Sequence, residues 1–170
     1  PPESFDFVLC EGDAFSLTPN PARALREFNR ILKASGLVSL NICNHYKLLP
    51  LMIQRMRTFD EVRRYFVETS YGQEPLHGAT FRTWRPEEAL KLMEGAGFFI
   101  ESYAPRQVLA DLLPEEFESA MKNDEVIMEH IQELELEFIR SPILAALGGH
   151  VVIVARKVAY AYGQMRIKER

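Results

Sequence analysis

The sequence predicts an α/β fold on a buried, largely parallel sheet, and two observations carry that prediction. Residues 5–43 read as strand, loop, helix, turn and second strand, the order of a βαβ crossover between strands covered on both faces. Later in the chain, apolar runs at 98–103 and 150–155 each follow a glycine break, Gly95-Ala96-Gly97 and Gly148-Gly149. Short apolar runs bounded by turn residues are the pattern of strands in such a sheet.

Taken in order, Phe5-Asp6-Phe7-Val8-Leu9-Cys10 is the first strand, and Leu17-Thr18-Pro19-Asn20-Pro21 is a loop. Asn20 suits a helix N-cap, and Pro21 suits the first helical position, where a missing N–H costs nothing. Over residues 22–33, Leu25, Phe28, Ile31 and Leu32 fall on one helical face, with Arg23, Arg26, Glu27 and Arg30 on the other. Gly36 is the expected left-handed C-cap, turning the chain into a second strand at residues 37–43.

Residues 46–68 form a second helical region, with an apolar stripe of Leu48, Leu49, Met52, Ile53, Met56, Phe59, Val62 and Phe66 and a bend at Pro50. Residues 70–83, carrying Gly72, Pro75 and Gly78, read as a loop or irregular hairpin. Arg85-Pro86-Glu87-Glu88 opens a third helix, with proline in the first turn and acids at its positive end. Its inward positions are Ala89, Leu90, Leu92 and Met93, and Gly95-Ala96-Gly97 stops it before the strand at 98–103. Residues 114–140 are acidic and helical, broken near Asn123-Asp124, with Phe117, Met121, Ile127, Ile131, Leu134 and Phe138 apolar. Pro142 ends them, 150–155 is a last buried strand, and the tail to Arg170 is basic.

Composition excludes several classes. An apolar fraction of 47%, a charged fraction of 26% and a net charge of −4 describe a globular protein without the clustered cations that nucleic acid requires. No apolar run approaches the ~20 residues that cross a bilayer. Cys10 and Cys43 lack zinc-ligand spacing, and two free thiols in a reducing cytoplasm are the simplest reading.

Four segments carry a family resemblance. Ser4-Phe5-Asp6-Phe7-Val8-Leu9-Cys10 looks like a family strand that reads "sFDlVl". Residues 24–33 with Gly36 match "al.E..RvLkpgG", residues 86–98 match "tpeEl..ll..aGF", and Gly149 to Lys157 match the common last strand. In this order, the segments resemble the C-terminal half of a class I, type 11-like, S-adenosylmethionine (SAM) dependent methyltransferase. The resemblance implies a Rossmann-like SAM-methyltransferase fold, present in part. The family sheet has the order 3-2-1-4-5-7-6 with the last strand antiparallel, and this chain would supply strands 4, 5, 6 and 7. Residues 1–157 would be the C-terminal half of the domain and 158–170 a basic tail. Residues 46–83 and 104–147 would be insertions that build a lid and acceptor pocket.

The resemblance implies SAM as cofactor, methyl transfer to a small-molecule acceptor, and neither nucleic acid nor membrane as partner. The family's glycine-rich cofactor loop, ribose-binding acid and adenine-binding turn have no counterpart here. The start at Pro1-Pro2-Glu3 is expected to be a cut through a longer protein. Phe5-Cys10 would then be an apolar edge whose unpaired backbone needs cover. Another copy of the chain, a separate N-terminal half or a missing part of the parent protein would supply it. A non-catalytic methyltransferase-like subunit, pairing through that edge, is the alternative function, and the isolated chain is expected to be inactive.

Ligands of open α/β sheets bind at the carboxyl ends of the strands. Cys10, Glu11 and Gly12 end the first strand, and the resemblance implies that this stretch runs beside the methionine part of SAM and the acceptor, which makes them the candidate cofactor-binding residues, with Glu11 also able to orient an acceptor or take its proton. Asp13 is a loop cap toward Phe15 and Ser16. Asn44, His45, Tyr46 and Trp84 are the candidate substrate residues, and His45 is a candidate general base because imidazole titrates near neutrality. The plainer reading makes Glu11 a solvated loop acid, His45 a surface histidine and Trp84 a packing residue. Tyr71, His77 and Phe81 are further candidate pocket walls. His130 and His150 have no metal partners at ligand spacing, so no metal site is expected.

Overall fold

A computed structural model describes residues 1–48, 58–67, 71–73, 80–109, 113, 123–141 and 147–159. Its elements are β1 (Phe5–Cys10), α1 (Ala14–Leu17), α2 (Pro21–Ile31), β2 (Leu32–Cys43), α3 (Phe59–Val67), β3 (Tyr71–Gln73), β4 (Thr80–Arg82), α4 (Pro86–Gly95), β5 (Phe98–Arg106), α5 (Glu125–Arg140) and β6 (His150–Lys157), with a 3₁₀ turn at Tyr46–Leu48. None of the described helices is long and apolar enough to cross a membrane.

The helix boundaries follow local chemistry. The Asn20 side chain accepts the Arg23 N–H at 2.9 Å and starts α2, with Pro21 at its first position. Asp124 starts α5 in the same way, accepting from the N–H groups of Val126 and Ile127. Gly97, at φ 87°, leads the chain out of α4. The turn after α2 departs from expectation. The helix ends at Ile31, and Ser35, not Gly36, takes the left-handed conformation, at φ 61°. Gly36 is required for space instead. A Cβ there would lie 3.0 Å from both Leu32 Cδ2 and the Lys33 carbonyl oxygen, and 3.2 Å from the Asp6 oxygen.

One sheet runs β1-β2-β6-β5, and β3 pairs with β4 in a small hairpin within the expected irregular stretch. β1 and β2 are parallel, joined through α2, whereas β6 is antiparallel to both β2 and β5. This is the 4-5-7-6 order that the resemblance implies, with the last strand reversed. β5 and β6 extend beyond the expected strand ends, to Arg106 and Lys157, because the two strands pair along their whole length.

Register assigns the faces. Val8, Val38 and Ala155 share one face, as do Cys10, Leu40 and Ile153. Leu25 of α2 and Ala89 and Met93 of α4 close over them in one buried cluster. Each fully buried aliphatic side chain contributes about 1.5–3 kcal/mol of transfer free energy. The opposite face carries Phe7, Leu9, Leu37, Val152, Val154 and Phe99, of which Leu9 remains 65% exposed and Phe99 62%. A sheet covered on both faces is thus found only in part, because α2 and α4 pack against the same side.

Other expectations are met unevenly. Phe59, placed on the apolar stripe of the second helical region, is 93% exposed. Helix α5 buries none of its residues, although Glu135 accepts the backbone N–H groups of Val108 and Leu109 and so ties the helix to the end of β5. Leu49, Pro50, Met52, Ile53, Met56, Pro75, His77, Gly78, Phe117, Met121, Pro142 and the tail from residue 160 lie outside the described residues. The side chains of Leu48, Val62, Phe66 and Tyr71 do as well.

Candidate functional site

The antiparallel course of β6 brings its first residue, His150, to the edge where β1, β2 and β5 end. Cys43 pairs with His150, which pairs in turn with Arg106. A glycine makes this junction possible. A Cβ on Gly148 would lie 2.7 Å from Pro105 Cβ and 3.1 Å from the Arg106 oxygen. No larger residue fits without moving backbone.

At this edge lies a cavity of about 500 Å³, lined by Leu9, Glu11, Gly12, Asp13, Asn41, Arg106, Gln107 and His150. That volume falls in the ~300–1,000 Å³ range of small-molecule sites. Gly12 and Asp13 form a tight turn, both at positive φ, 66° and 60°. Glu11 accepts the Ser39 hydroxyl at 3.0 Å through Oε1. Its Oε2 is buried without a hydrogen bond, 3.8 Å from Arg106 Nη1. Asp13 receives support from two strands: its N–H donates to Asn41 Oδ1 at 2.8 Å, and its Oδ2 lies 2.9 Å from His150 Nε2. The other oxygen, Oδ1, is buried with no partner. Cys10, just behind this turn, has a thiol pushed up by burial and then by the Glu11 charge, against a small opposing effect of its contact with the Phe15 backbone.

The predicted acceptor residues cluster separately, beside α4. Asn44 and His45 are buried at the end of β2, and Asn44 bridges to Trp84 as an isolated parallel pair. Asn44 Nδ2 donates to the Gly148 oxygen at 2.8 Å, which ties β2 to the Gly148 turn. His45 donates its backbone N–H to the Trp84 oxygen, and its Nδ1 lies 3.0 Å from Thr83 Oγ1. The reading of His45 as a surface-loop histidine is therefore corrected, since tertiary pairing buries it. Trp84 is also buried. Its ring stacks on Phe15 at 5.2 Å, the Arg82 guanidinium lies 3.9 Å over the ring, and its Nε1 is buried without a partner. Tyr46 donates to Glu87; its hydroxyl is pushed up to about 12, by loss of solvent first and then by that carboxylate.

The structure thus brings Glu11 and Gly12 into one cavity and places Cys10, which packs against the core, and Asn44, His45, Tyr46 and Trp84 outside its lining. It adds Asn41, Asp13, Arg106, Gln107 and His150. His150 was accessible to sequence reasoning, because an antiparallel last strand must begin at the ligand edge. The pairing of Asp13 with a residue 137 positions away left no local signal.

Nothing lies within 4 Å of the Cβ position of Gly12, so the space over this turn is open.

Comparison with known proteins points to the same fold. Residues 1–40 match the family model described as a methyltransferase domain. No curated protein sequence matches the chain. A SAM-dependent methyltransferase from Mesorhizobium loti is similar in structure, with a TM-score of 0.54 and 17% identity over 92% of this chain and 63% of that one. One from Methanosarcina mazei gives a TM-score of 0.52 and 16% identity over 92% of this chain and 61% of its own. The [4+2]-cyclase SpnF gives 0.51 and 18% identity over 94% and 52%. The chain spans less than two thirds of each of these proteins. In its sheet order, its βαβ unit and these likenesses, the chain has the fold of the class I SAM-dependent methyltransferases.

Proposed function

We propose that this chain is the C-terminal half of a SAM-dependent methyltransferase domain that acts on a small-molecule acceptor. The observation that carries the reading is the convergence of Glu11, Gly12 and Asp13 with His150 at the carboxyl edge of a 4-5-7-6 sheet, around a cavity of small-molecule size. SAM, when bound, supplies an activated methyl carbon. The protein's task is then to align the acceptor nucleophile with it and exclude water. Cys10, Glu11 and Gly12 form the donor side of the site. Tyr46 stands on the acceptor side, where Asn44, His45 and Trp84 hold the wall in place through Gly148, Thr83 and Phe15. Glu11 orients the acceptor or takes its proton.

The same reading assigns a partner to β1. This strand pairs only with β2 among the described strands, and Phe5, Phe7 and Leu9 are 49%, 48% and 65% exposed. A completing polypeptide that carries the cofactor loop adds a strand beside β1 and covers those side chains. A second copy of this chain would instead make a homodimer without a cofactor loop.

Calorimetry with S-adenosylhomocysteine tests the proposal on the chain alone and on a chimera. The chimera joins this chain to the part of the Mesorhizobium loti protein that it does not cover. The chain alone is expected to give no heat, and the chimera to bind. Micromolar binding by the chain alone overturns the account of a completing half. A folded chimera that fails to bind favours the non-catalytic subunit.

A further inference from the structure

The ladder between β5 and β6 ends at the pair of Arg106 and His150, so the N–H groups that follow Arg106 need other acceptors. Those of Val108 and Leu109 donate to the two carboxylate oxygens of Glu135, on α5. The placing of that acid is informative. Ile127, Met128, Ile131, Phe138 and Ile139 are half-buried along one side of the helix, and Glu135 stands among them. A carboxylate on an apolar stripe is unfavourable unless donors meet it, and here two backbone groups do. The helix is otherwise lightly held. None of its residues is buried, and Val126, Leu134 and Leu136 are exposed. A helix of this length is marginal alone, and units with few buried apolar contacts open most readily.

Gln107 connects this contact to the cavity. It lines the cavity beside Arg106 and directly precedes the two N–H groups that Glu135 holds. Its backbone is left-handed, at φ 57°, a conformation unfavourable for a residue with a Cβ unless neighbours impose it. Neighbours act on both sides. The Gly149 N–H donates to the Gln107 carbonyl oxygen at 3.2 Å, and Glu135 fixes the residues that come next. Gln107 Oε1 lies 2.6 Å from His150 Nδ1, and His150 Nε2 lies 2.9 Å from Asp13 Oδ2. A continuous series of contacts thus runs from α5 to the Gly12-Asp13 turn.

We propose that α5 is a detachable clamp that sets the shape of the cavity. When it is seated, Glu135 holds Val108 and Leu109, Gln107 stays left-handed, and its side chain is presented to His150. When it is released, both N–H groups are freed, Gln107 relaxes toward ordinary backbone, and His150 loses one of its two partners. A ligand that touches Gln107 or His150 in the seated arrangement therefore favours seating, and seating favours that ligand by the same factor. The clamp is a regulation of the proposed methyltransferase site and rests on that reading for what fills the cavity.

Amide hydrogen exchange and NMR test the clamp on the chain alone. Glu135→Ala is expected to speed exchange at Val108, Leu109 and the amides of α5 by about tenfold or more, the scale of losing charged hydrogen bonds. The His150 ring and Gly12 amide resonances should shift with it, while Leu40 and Ile153 in the sheet exchange as in wild type. Glu135→Gln, which keeps one acceptor, should fall between the two. Gln107→Gly keeps the left-handed turn and removes the amide that meets His150. In that background Glu135→Ala should still release α5 but move the His150 ring much less. Unchanged α5 exchange in both Glu135 variants overturns the proposal. So does a released α5 with unmoved His150 resonances, or a His150 shift of equal size with and without the Gln107 side chain. No cofactor enters these measurements. A chimera that fails to bind S-adenosylhomocysteine therefore counts against the methyltransferase reading alone, and an uncoupled α5 counts against the clamp alone.

Discussion

Asn44 and Gly148 are joined by a hydrogen bond of 2.8 Å from Nδ2 to the carbonyl oxygen, and this contact locks the end of β2 to the turn that starts β6. Both residues are placed by close packing: Asn44 is buried, and Gly148 lies against Pro105 and Arg106 with no room for a side chain. The position of His150, two residues later, depends on this junction.

Gly148→Ala should therefore destabilise the fold by about 1–3 kcal/mol, the usual cost of forcing an extra methyl group into a packed site. A urea melt followed by circular dichroism measures it. The contrast is Gly12→Ala, where the added Cβ meets open space but the backbone stays left-handed, so only the conformational cost of about 1–2 kcal/mol applies. Equal stability of Gly148→Ala and wild type would contradict the packing argument.

Ser35 takes a left-handed conformation that glycine adopts without steric cost. Ser35→Gly should raise stability by up to about 1 kcal/mol, since relief of strain outweighs the extra chain entropy of the unfolded state. A thermal melt checks the sign. Gly36→Ala, one position on, should lower stability, because its Cβ would meet Leu32, Lys33 and Asp6.

Tyr46 supplies a pH signature. Its hydroxyl is raised from 10.0 to about 12, chiefly by loss of solvent and then by Glu87, so folding favours the protonated phenol. The associated stability is complete below pH 10 and is lost as pH rises through about 12. Stability curves of wild type and Tyr46→Phe should therefore differ below pH 10 and converge above it. Curves that stay parallel from pH 9 to 12 would remove the Tyr46–Glu87 bond from the account.

Cys10 should react slowly with iodoacetamide at pH 8, because burial and the neighbouring Glu11 charge hold its thiol above the ordinary range. Glu11→Gln removes the second of those causes and should speed the reaction. Peptide mapping by mass spectrometry follows Cys10 by itself. A faster reaction in the folded chain than in urea would contradict this assignment.

The exposed side chains of β1 give a prediction about surface. Leu9→Lys should change the stability of this chain by less than about 0.5 kcal/mol, as expected of an exposed site, and should raise its solubility. The proposed completing half would cover Leu9, so in the chimera the same substitution should cost more. Equal effects in both proteins would show that nothing covers β1.

The sequence alone determined what local chemistry decides. Asn20-Pro21 and Asp124 start helices because their side chains or ring geometry suit the first turn, and residues 5–43 alternate between strand and helix periods as a crossover requires. The resemblance added the strand order, including the reversed last strand. Tertiary structure decided the rest, since those outcomes depend on contacts between distant residues. Ser35 took the left-handed turn because Gly36 was needed where the backbone approaches Asp6. His45 and Trp84 were buried by the pairing of β2 with the segment before α4, which no periodicity records. The Asp13 side chain caps nothing and meets His150 instead, because a reversed β6 delivers that residue to the same edge, and the period of a strand or helix says nothing about which side chains a sheet brings together.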